Sequence, residues 1–293
     1  MRLLNQILRG IVIGVANIIP GVSGGTMMVS MGIYDTLIHC ITHLFSEFKK
    51  SIKTLLPYAV GMLIGIVALA SLLTYLFEHF PLPTNTAFIG LILGGLGPIF
   101  RKIDRRKINA AAVIAFILAF ALIIWMALKG EVQNADTIRI DAVQMLILIA
   151  VGAVASATMI IPGVSGSMML MLLGYYTPVL NALSNFKDAL FHLDFAAMGQ
   201  PLLLLLPFAL GIVLGIYFVA KAIEWLLKRY ATPTYCCVLG LVLASPVAIL
   251  IRNGNNGVNT QQILISIVTF AVGFIAAMLL ARGSKEEAVC QKQ

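Results

Sequence analysis

Charged residues are scarce in this sequence. Only 11% of the 293 residues are Asp, Glu, Lys or Arg, while 60% are hydrophobic and the mean hydropathy is +0.99. So little polar surface excludes a soluble domain, because a soluble fold must present polar side chains to water. The apolar stretches reach the roughly 20 residues that a helix needs to cross a bilayer. They do not alternate with period two, which excludes a membrane β-barrel.

Several chemical signatures are also missing. The four cysteines show no metal-ligand spacing, and we expect neither a metal nor a cofactor. No Gly-Lys-Ser or Gly-Lys-Thr follows a glycine-rich turn, so a nucleotide-binding loop is not predicted. The net charge of +8 is better explained by basic cytoplasmic loops of a membrane protein than by nucleic acid, and no nucleic-acid partner is expected.

The sequence does contain one helix-breaking motif that occurs twice. Residues 18–25 read IIPGVSGG and residues 160–167 read IIPGVSGS, so seven identical residues recur 142 positions apart. Proline removes a backbone N–H and glycine permits tight turns, so each copy interrupts a helix inside apolar sequence. LPYAVGMLIG at 56–65 matches LPFALGIVLG at 206–215, which extends the similarity at an offset of 150. This internal duplication is typical of membrane transporters.

The predicted fold is an all-α integral membrane protein made of two inverted-topology repeats. Each repeat has a broken re-entrant helical hairpin followed by three transmembrane helices, and both form a single transport domain. The first repeat, residues 1–128, has hairpin 3–45 (segments 3–19 and 22–45) and helices 55–77, 84–100 and 108–128. The second, residues 141–282, has hairpin 141–183 (segments 141–161 and 164–183) and helices 201–227, 233–251 and 260–281.

The charge of the loops sets the expected orientation. Loops 46–53 and 101–107 are basic and are expected in the cytoplasm, while the acidic loop 78–83 between them is expected outside. Each half then crosses the membrane an odd number of times, so the repeats are inverted and both termini are cytoplasmic. This parity holds whether each hairpin re-enters or crosses twice, and both arrangements stay open here.

The helix that follows each break is the predicted anion site. Ser23 and Ser165 stand where an N-cap is expected, and the helix beyond each offers free N–H groups and a positive dipole end. Such an end binds anions, phosphate in particular. If the hairpins meet, the two helix ends face each other across one anion site; the alternative is a glycine-mediated helix crossing. The predicted phosphate-binding residues are Ser23, Gly24, Gly25, Thr26, Ser165, Gly166 and Ser167.

Two longer stretches carry a family resemblance: GVANIIPGVSGGTMMVSMGIYD at 14–35 and SATMIIPGVSGSMMLMLLGYY at 156–176. They resemble the two signatures of the PopT-type polyprenyl-phosphate transporter family, over essentially the whole chain. The resemblance implies return of undecaprenyl phosphate, the lipid carrier of cell-wall synthesis, across the bacterial cytoplasmic membrane. It also implies an acidic residue at the end of the first signature, and Asp35 stands there. The counterpart of Asp35 in the second half is Thr177. The hairpin breaks fall at Pro20, Gly21, Pro162 and Gly163.

Ionisable residues in apolar segments are further candidates, because charge inside a membrane is costly and usually functional. Arg9 is expected either to reach a phosphate or to anchor to lipid head groups. Lys221 and Glu224 are three positions apart and are expected to form an ion pair. His39 and His43 share a helical face, where a proton-sensing role and a simple interfacial position stay open and a metal would need more ligands. The candidates for phosphate contact or coupling are Arg9, Asp35, Lys221, Glu224 and Arg252.

Two functions are compatible with these features of the sequence. The first is a polyprenyl-phosphate translocase; the alternative is a small-anion channel or secondary transporter that uses the paired helix ends. An enzyme is not expected, because neither PGVSG serine is followed by a histidine that could activate it. The expected partners are the lipid substrate and the membrane lipids. A homodimer and coupling to a proton or sodium gradient are further hypotheses.

Overall fold

The structure is a computed structural model that describes residues 2–18, 23–129, 141–192, 194, 197–253 and 260–290. Within these ranges every regular element is helical, and seven helices are long and apolar enough to cross a membrane. Large apolar side chains such as Val67, Leu118 and Val213 are exposed on them, as expected of surfaces that face lipid. The predicted all-α membrane fold is therefore confirmed, and the chain is a multi-pass membrane protein.

The helices are numbered in chain order. The first half contains α1 (Arg2–Ile18), α2 (Gly24–Ser30), α3 (Tyr34–Thr42), α4 (Phe48–His79), α5 (Pro81–Gly94), α6 (Gly97–Lys102) and α7 (Ala110–Leu128), with a 3-10 turn at Arg105–Lys107. The second half contains α8 (Ala142–Ile160), α9 (Gly166–Leu172), α10 (Tyr176–Phe191), α11 (Gly199–Arg229), α12 (Ala231–Asn253) and α13 (Thr260–Cys290). In each half a seven-residue helix follows the break and a helix of more than 30 residues comes two elements later.

The chain divides into two compact units whose boundaries differ from those of the sequence repeats. The first unit comprises Met1–Leu128, Ile161–Val164 and Ala220–Gln293, and the second comprises Lys129–Ile160 and Ser165–Val219. Four residues of the second motif, Ile161–Val164, therefore belong to the unit that contains the first half of the chain. The repeats themselves are a division by sequence similarity and stay a prediction.

A left-handed glycine interrupts the segment after each break. The predicted helices 22–45 and 164–183 are wrong as single helices, because Gly32 (φ 69°) and Gly174 (φ 75°) end α2 and α9. Each glycine N–H and the N–H after it bond back to the last helical turn, which is the Schellman arrangement. These bonds are Gly32 to Val29 (2.9 Å), Ile33 to Met28 (3.0 Å), Gly174 to Met171 (3.1 Å) and Tyr175 to Leu170 (2.9 Å).

Three other predicted boundaries shift in the structure. The predicted helix 84–100 is interrupted between α5 and α6. There the Gly95 N–H is shared between the carbonyl oxygens of Leu91 and Ile92, each at 3.3 Å. The predicted helix 55–77 begins earlier, at Phe48, because the basic stretch before it also has good helix propensity. The predicted helix 201–227 begins slightly earlier, because α11 starts at Gly199, and it continues through Pro207 without a break.

Glycines let the first and fourth helix of each half cross with their backbones in contact. In the first unit, Gly10 and Gly14 of α1 face α4, and an added Cβ would lie 2.3 Å from the Tyr58 or Met62 carbonyl oxygen. In the second unit, a Cβ on Gly152 of α8 would lie 2.3 Å from the Phe208 oxygen of α11. Close approach through small residues is how helices associate tightly within a bilayer.

The other two helix pairs exchange partners between the halves of the chain. In the first unit, α5 packs on α13, where Gly90 meets the Phe270 carbonyl oxygen, and α12 packs on α7, where Gly240 meets that of Phe116. The glycines are 150 positions apart and the phenylalanines 154 (240 − 90 and 270 − 116). Each pair is therefore the counterpart of the other with the halves exchanged, which supports an ancestral duplication.

A methyl group at either exchanged crossing is expected to separate the two helices. Gly94→Ala, whose Cβ would lie 2.3 Å from the Phe274 oxygen, and Gly240→Ala, at 2.4 Å from the Phe116 oxygen, should each destabilise the protein by about 1–3 kcal/mol. The measurement is the thermal unfolding midpoint in detergent. Gly97→Ala is the matched control, because its nearest neighbour is the flexible Arg101 side chain at 3.8 Å. Equal midpoints for all three variants would contradict the packing described.

Candidate functional site

The first break leads into α2 through a well-formed N-cap. Ser23 has extended backbone (φ −112°, ψ 133°), and its Oγ accepts a hydrogen bond from the Gly25 N–H at 3.2 Å. The predicted N-cap at Ser23 is therefore confirmed. The N–H of Gly24 donates to Asn17 Oδ1 at 3.2 Å, so α1 also caps the helix that follows it. Pro20 and Gly21, the predicted break residues, lie outside the described residues.

Because of these caps, two donors that were expected to be free for an anion are engaged. The N–H groups of Gly24 and Gly25 are not free, since Asn17 and Ser23 accept from them, and phosphate binding by the two glycines stays a prediction. A helix start buried in protein must satisfy its N–H groups, and neutral side-chain oxygens do so here. A phosphate would have to replace those oxygens.

The two copies of the motif contact each other within the first unit. Thr26 Oγ1 accepts a hydrogen bond from the Gly163 N–H at 2.7 Å, and Ser23 Oγ lies 3.5 Å from the Ile161 carbonyl oxygen. Thr26 is fully buried and Ser23 is 3% exposed. Pro162 and Gly163 form a turn there, with Gly163 at φ +85°. The predicted break at these two residues is confirmed, and its backbone is held by hydroxyl groups of the first motif.

The second copy of the motif differs in its hydroxyl contacts. Ser165 occupies the N-cap position of α9 with extended backbone, but its side chain caps no N–H of that helix. Instead Ser165 Oγ and Ser167 Oγ lie 2.8 Å apart and share a hydrogen bond. Gly166 is buried against Met159, whose Cγ would be 2.8 Å from an added Cβ. The sequence similarity therefore does not extend to identical capping.

Asp35 anchors the start of α3 to two other helices of the first unit. Its Oδ2 accepts from Lys102 Nζ of α6 and from the Tyr235 hydroxyl of α12, the latter at 2.6 Å. Lys102 Nζ also lies 5.4 Å from the centre of the Tyr235 ring. Asp35 Oδ1 is buried and has no hydrogen-bond partner among the described residues. Sequence reasoning found Asp35 but missed Lys102 and Tyr235, although the basic loop 101–107 was a signal for Lys102.

Arg9 lies inside the protein rather than at the lipid surface. Its side chain is fully buried, and Nη2 donates to the Leu280 carbonyl oxygen of α13 at 3.1 Å. Anchoring to lipid head groups is therefore wrong, because a side chain with no exposed surface cannot reach them. The alternative, contact with a phosphate, stays a prediction.

Glu224 is the centre of a polar cluster between α3 and the end of α11. Its Oε1 lies 2.7 Å from Lys228 Nζ, 3.1 Å from His39 Nδ1 and 3.7 Å from His43 Nδ1. Near the histidines, the hydrogen bond and positive charge of Lys50 hold the pKa of Glu47 below its ordinary value.

The two remaining basic candidates lie at separate places. Lys221 is exposed on α11, and its expected pairing with Glu224 stays a prediction. Arg252 belongs to the last turn of α12, and its side chain lies outside what the structure describes. Neither side chain is placed at the breaks by the contacts given above.

These elements define a class of protein: a multi-pass helical membrane protein in which buried hydroxyl groups at the start of α2 contact the proline-glycine turn of the second half of the chain. The chain belongs to the undecaprenyl phosphate translocase-like family, whose model it matches over residues 13–265. The resemblance read from the two motifs is thereby confirmed.

Two curated relatives are similar over most of their length. A polyprenyl-phosphate transporter of Staphylococcus aureus is 32% identical over 289 residues, which cover 96% of this chain and 97% of that protein. A polyprenyl-phosphate transporter of Vibrio cholerae is 30% identical over 259 residues, which cover 84% of this chain and 77% of that protein. No solved structure matches this chain.

Proposed function

We propose that this protein translocates a polyprenyl phosphate, with undecaprenyl phosphate as the expected substrate, across the bacterial cytoplasmic membrane. Both named relatives are polyprenyl-phosphate transporters and cover most of the chain. The structural observation that carries the proposal is the contact between the two breaks, Thr26 Oγ1 to the Gly163 N–H at 2.7 Å. It brings the start of α2 and the turn at Gly163 to one place in an apolar protein, where a polar head group needs donors.

The head group would bind by exchange of hydrogen bonds. The N–H groups of Gly24, Gly25 and Gly163 now donate to neutral oxygens of Asn17, Ser23 and Thr26. A phosphate oxygen is a stronger acceptor, because hydrogen bonds to an ionised group are roughly twice as strong as neutral ones. The neutral acceptors thus keep the donors satisfied between transport events. The polyprenyl tail would stay in the lipid throughout.

Inverted repeats with re-entrant hairpins suit this function. A seven-residue α2 or α9 is about 10 Å long and cannot cross a bilayer core of about 30 Å. The matching turns at Gly32 and Gly174 and the exchanged pairs α5–α13 and α7–α12 support two related halves. The basic loops favour cytoplasmic N- and C-termini.

Energy for directional transport would come from outside the described fold or from the lipid gradient itself. Coupling to a proton or sodium gradient and assembly as a homodimer belong to this proposal as hypotheses. We propose no catalytic step, since translocation needs no bond to be broken and the relatives are named transporters.

The test is translocation in liposomes. Purified protein is reconstituted with labelled undecaprenyl phosphate in one leaflet, and the appearance of phosphate on the other side is timed. Ser23→Leu/Ser165→Leu is expected to slow the rate by about tenfold or more, because both hydroxyls at the breaks are lost. Ser46→Leu/Ser184→Leu is the matched control, since both serines are exposed and distant in sequence from the motifs.

The outcomes separate the two functions considered. Serine-dependent translocation above the level of empty liposomes supports the proposal. Folded protein that moves inorganic anions but not the lipid would overturn it and favour the anion-channel alternative. The same assay with an imposed proton or sodium gradient measures the coupling directly.

A further inference from the structure

The strongest feature outside the breaks is the convergence of three metal-binding side chains. His39 of α3, His43 at the C-cap of α3 and Glu224 of α11 each offer one ligand atom, and these atoms all lie within 4.8 Å of one another. Glu224 Oε1 is 3.1 Å from His39 Nδ1 and 3.7 Å from His43 Nδ1. Among the described residues this is the only such group of three.

These separations resemble the edges of a metal coordination sphere. Zinc binds histidine nitrogen and carboxylate oxygen at about 2.0–2.2 Å in a tetrahedron, so neighbouring ligand atoms lie about 3.3 Å apart. The two measured N–O distances, 3.1 and 3.7 Å, lie on either side of that value. The two histidine nitrogens lie within 4.8 Å of each other, so binding of one ion would draw the two rings closer together.

The helical framework holds the ligands in place. His39 lies in the last turn of α3 and His43 is its C-cap, whose N–H bonds to the His39 carbonyl oxygen at 3.0 Å, and the two ring centres are 4.1 Å apart. His43 Nδ1 now lies 2.9 Å from Thr42 Oγ1 and 3.1 Å from the His39 carbonyl oxygen, contacts that an ion would replace. The third ligand comes from a residue 185 positions away, which is why the sequence alone showed too few ligands.

Lys228 would compete with a metal ion for Glu224, and this competition can be tested by substitution. Its ammonium group contacts Glu224 Oε1 at 2.7 Å, where it occupies the position of a cation. The Lys228 side chain is 68% exposed, whereas that of Glu224 is only 13% exposed, so the lysine can move into solvent while the carboxylate stays. A divalent ion would therefore exchange with the lysine ammonium.

The geometry points to a binding site for one divalent transition-metal ion of the zinc class, with His39, His43 and Glu224 as ligands and a fourth position open to water. Two imidazoles and one carboxylate favour zinc, copper, nickel or cobalt over magnesium and calcium, which require oxygen ligands. The ion would tie α3, which follows α2 through the Gly32 turn, to the end of α11.

Metal binding by the full-length protein in detergent tests the proposal. The protein carries a tag free of histidine, is stripped with a chelator, and is dialysed against Zn²⁺; Co²⁺ replaces it for visible absorption of a tetrahedral complex. We expect one ion per chain, and at least about tenfold weaker binding for His39→Ala, His43→Ala and Glu224→Gln. His79→Ala and His192→Ala, which change the two other histidines of the chain, are the matched controls.

Lys228→Met separates a true site from a folding artefact, because it is expected to tighten binding by removing the competing ammonium. A misfolded variant could not produce that gain. Zn²⁺ binding that is equal in wild type and His39→Ala, or that falls in Lys228→Met, would overturn the proposal. The measurement does not involve the lipid, so its failure would leave the transport proposal standing.

Discussion

Gly163→Ala is expected to reduce polyprenyl-phosphate transport by at least about tenfold. Gly163 has φ +85°, and its Cβ would lie 2.6 Å from the Leu241 carbonyl oxygen. A left-handed conformation costs an alanine about 1–2 kcal/mol, and the contact with α12 adds to that cost. The turn would shift and pull its N–H away from Thr26, which breaks the contact between the two motifs.

The effect is measured as the liposome translocation rate per folded protein, with folding checked by gel filtration. Gly199→Ala is the matched control, because nothing lies within 4 Å of its added Cβ. If Gly163→Ala transported at the wild-type rate, the tight turn at the second break would be irrelevant to transport. A loss in both variants would indicate a general sensitivity to added bulk.

Asp35→Asn is expected to lower transport by about tenfold while changing stability little. The substitution keeps the shape of the side chain but removes the charge that holds Lys102 and Tyr235 at the start of α3. Because the Asp35 and Lys102 side chains are 36% and 38% exposed, the ion pair itself should contribute less than about 1 kcal/mol to folding. Its expected role is to position the hairpin that carries the first break.

The measurement pairs the translocation rate with the thermal unfolding midpoint. Asp188→Asn serves as control, because Asp188 forms an exposed ion pair with the neighbouring Lys187. A large fall in the midpoint together with transport would mean that Asp35 acts through stability alone. Unchanged transport in Asp35→Asn would remove this carboxylate from the functional residues.

Local chemistry explains what could be predicted well. Pro162 followed directly by Gly163 breaks the helix, because one lacks an N–H and the other adopts a left-handed turn, whereas the lone Pro207 stays inside α11. Ser23 was recognisable as an N-cap for the same local reason. The glycines that end α2 and α9, Gly32 and Gly174, are visible in the sequence. The helix ends were not predicted there, because apolar residues continue on both sides of each short turn.

Contacts between distant residues explain what was missed. Asp35 meets Lys102 across 67 positions and Tyr235 across 200, and no pattern in one sequence pairs such residues. Likewise Asn17 accepts a hydrogen bond from the Gly24 N–H that was predicted to face an anion. Arg9 could not be placed either, because it bonds to the Leu280 carbonyl oxygen, 271 positions away along the chain.

The sequence by itself determined the membrane class, the duplicated motif and the break at Pro162 and Gly163, because hydropathy, proline and glycine act over a few residues. Only the tertiary structure decided that the breaks touch through Thr26 and Gly163, and that His39, His43 and Glu224 converge. It also decided that α5 pairs with α13 while α7 pairs with α12. The physical reason is that hydrogen bonds and close packing depend on distances in space, which separation along the chain does not encode.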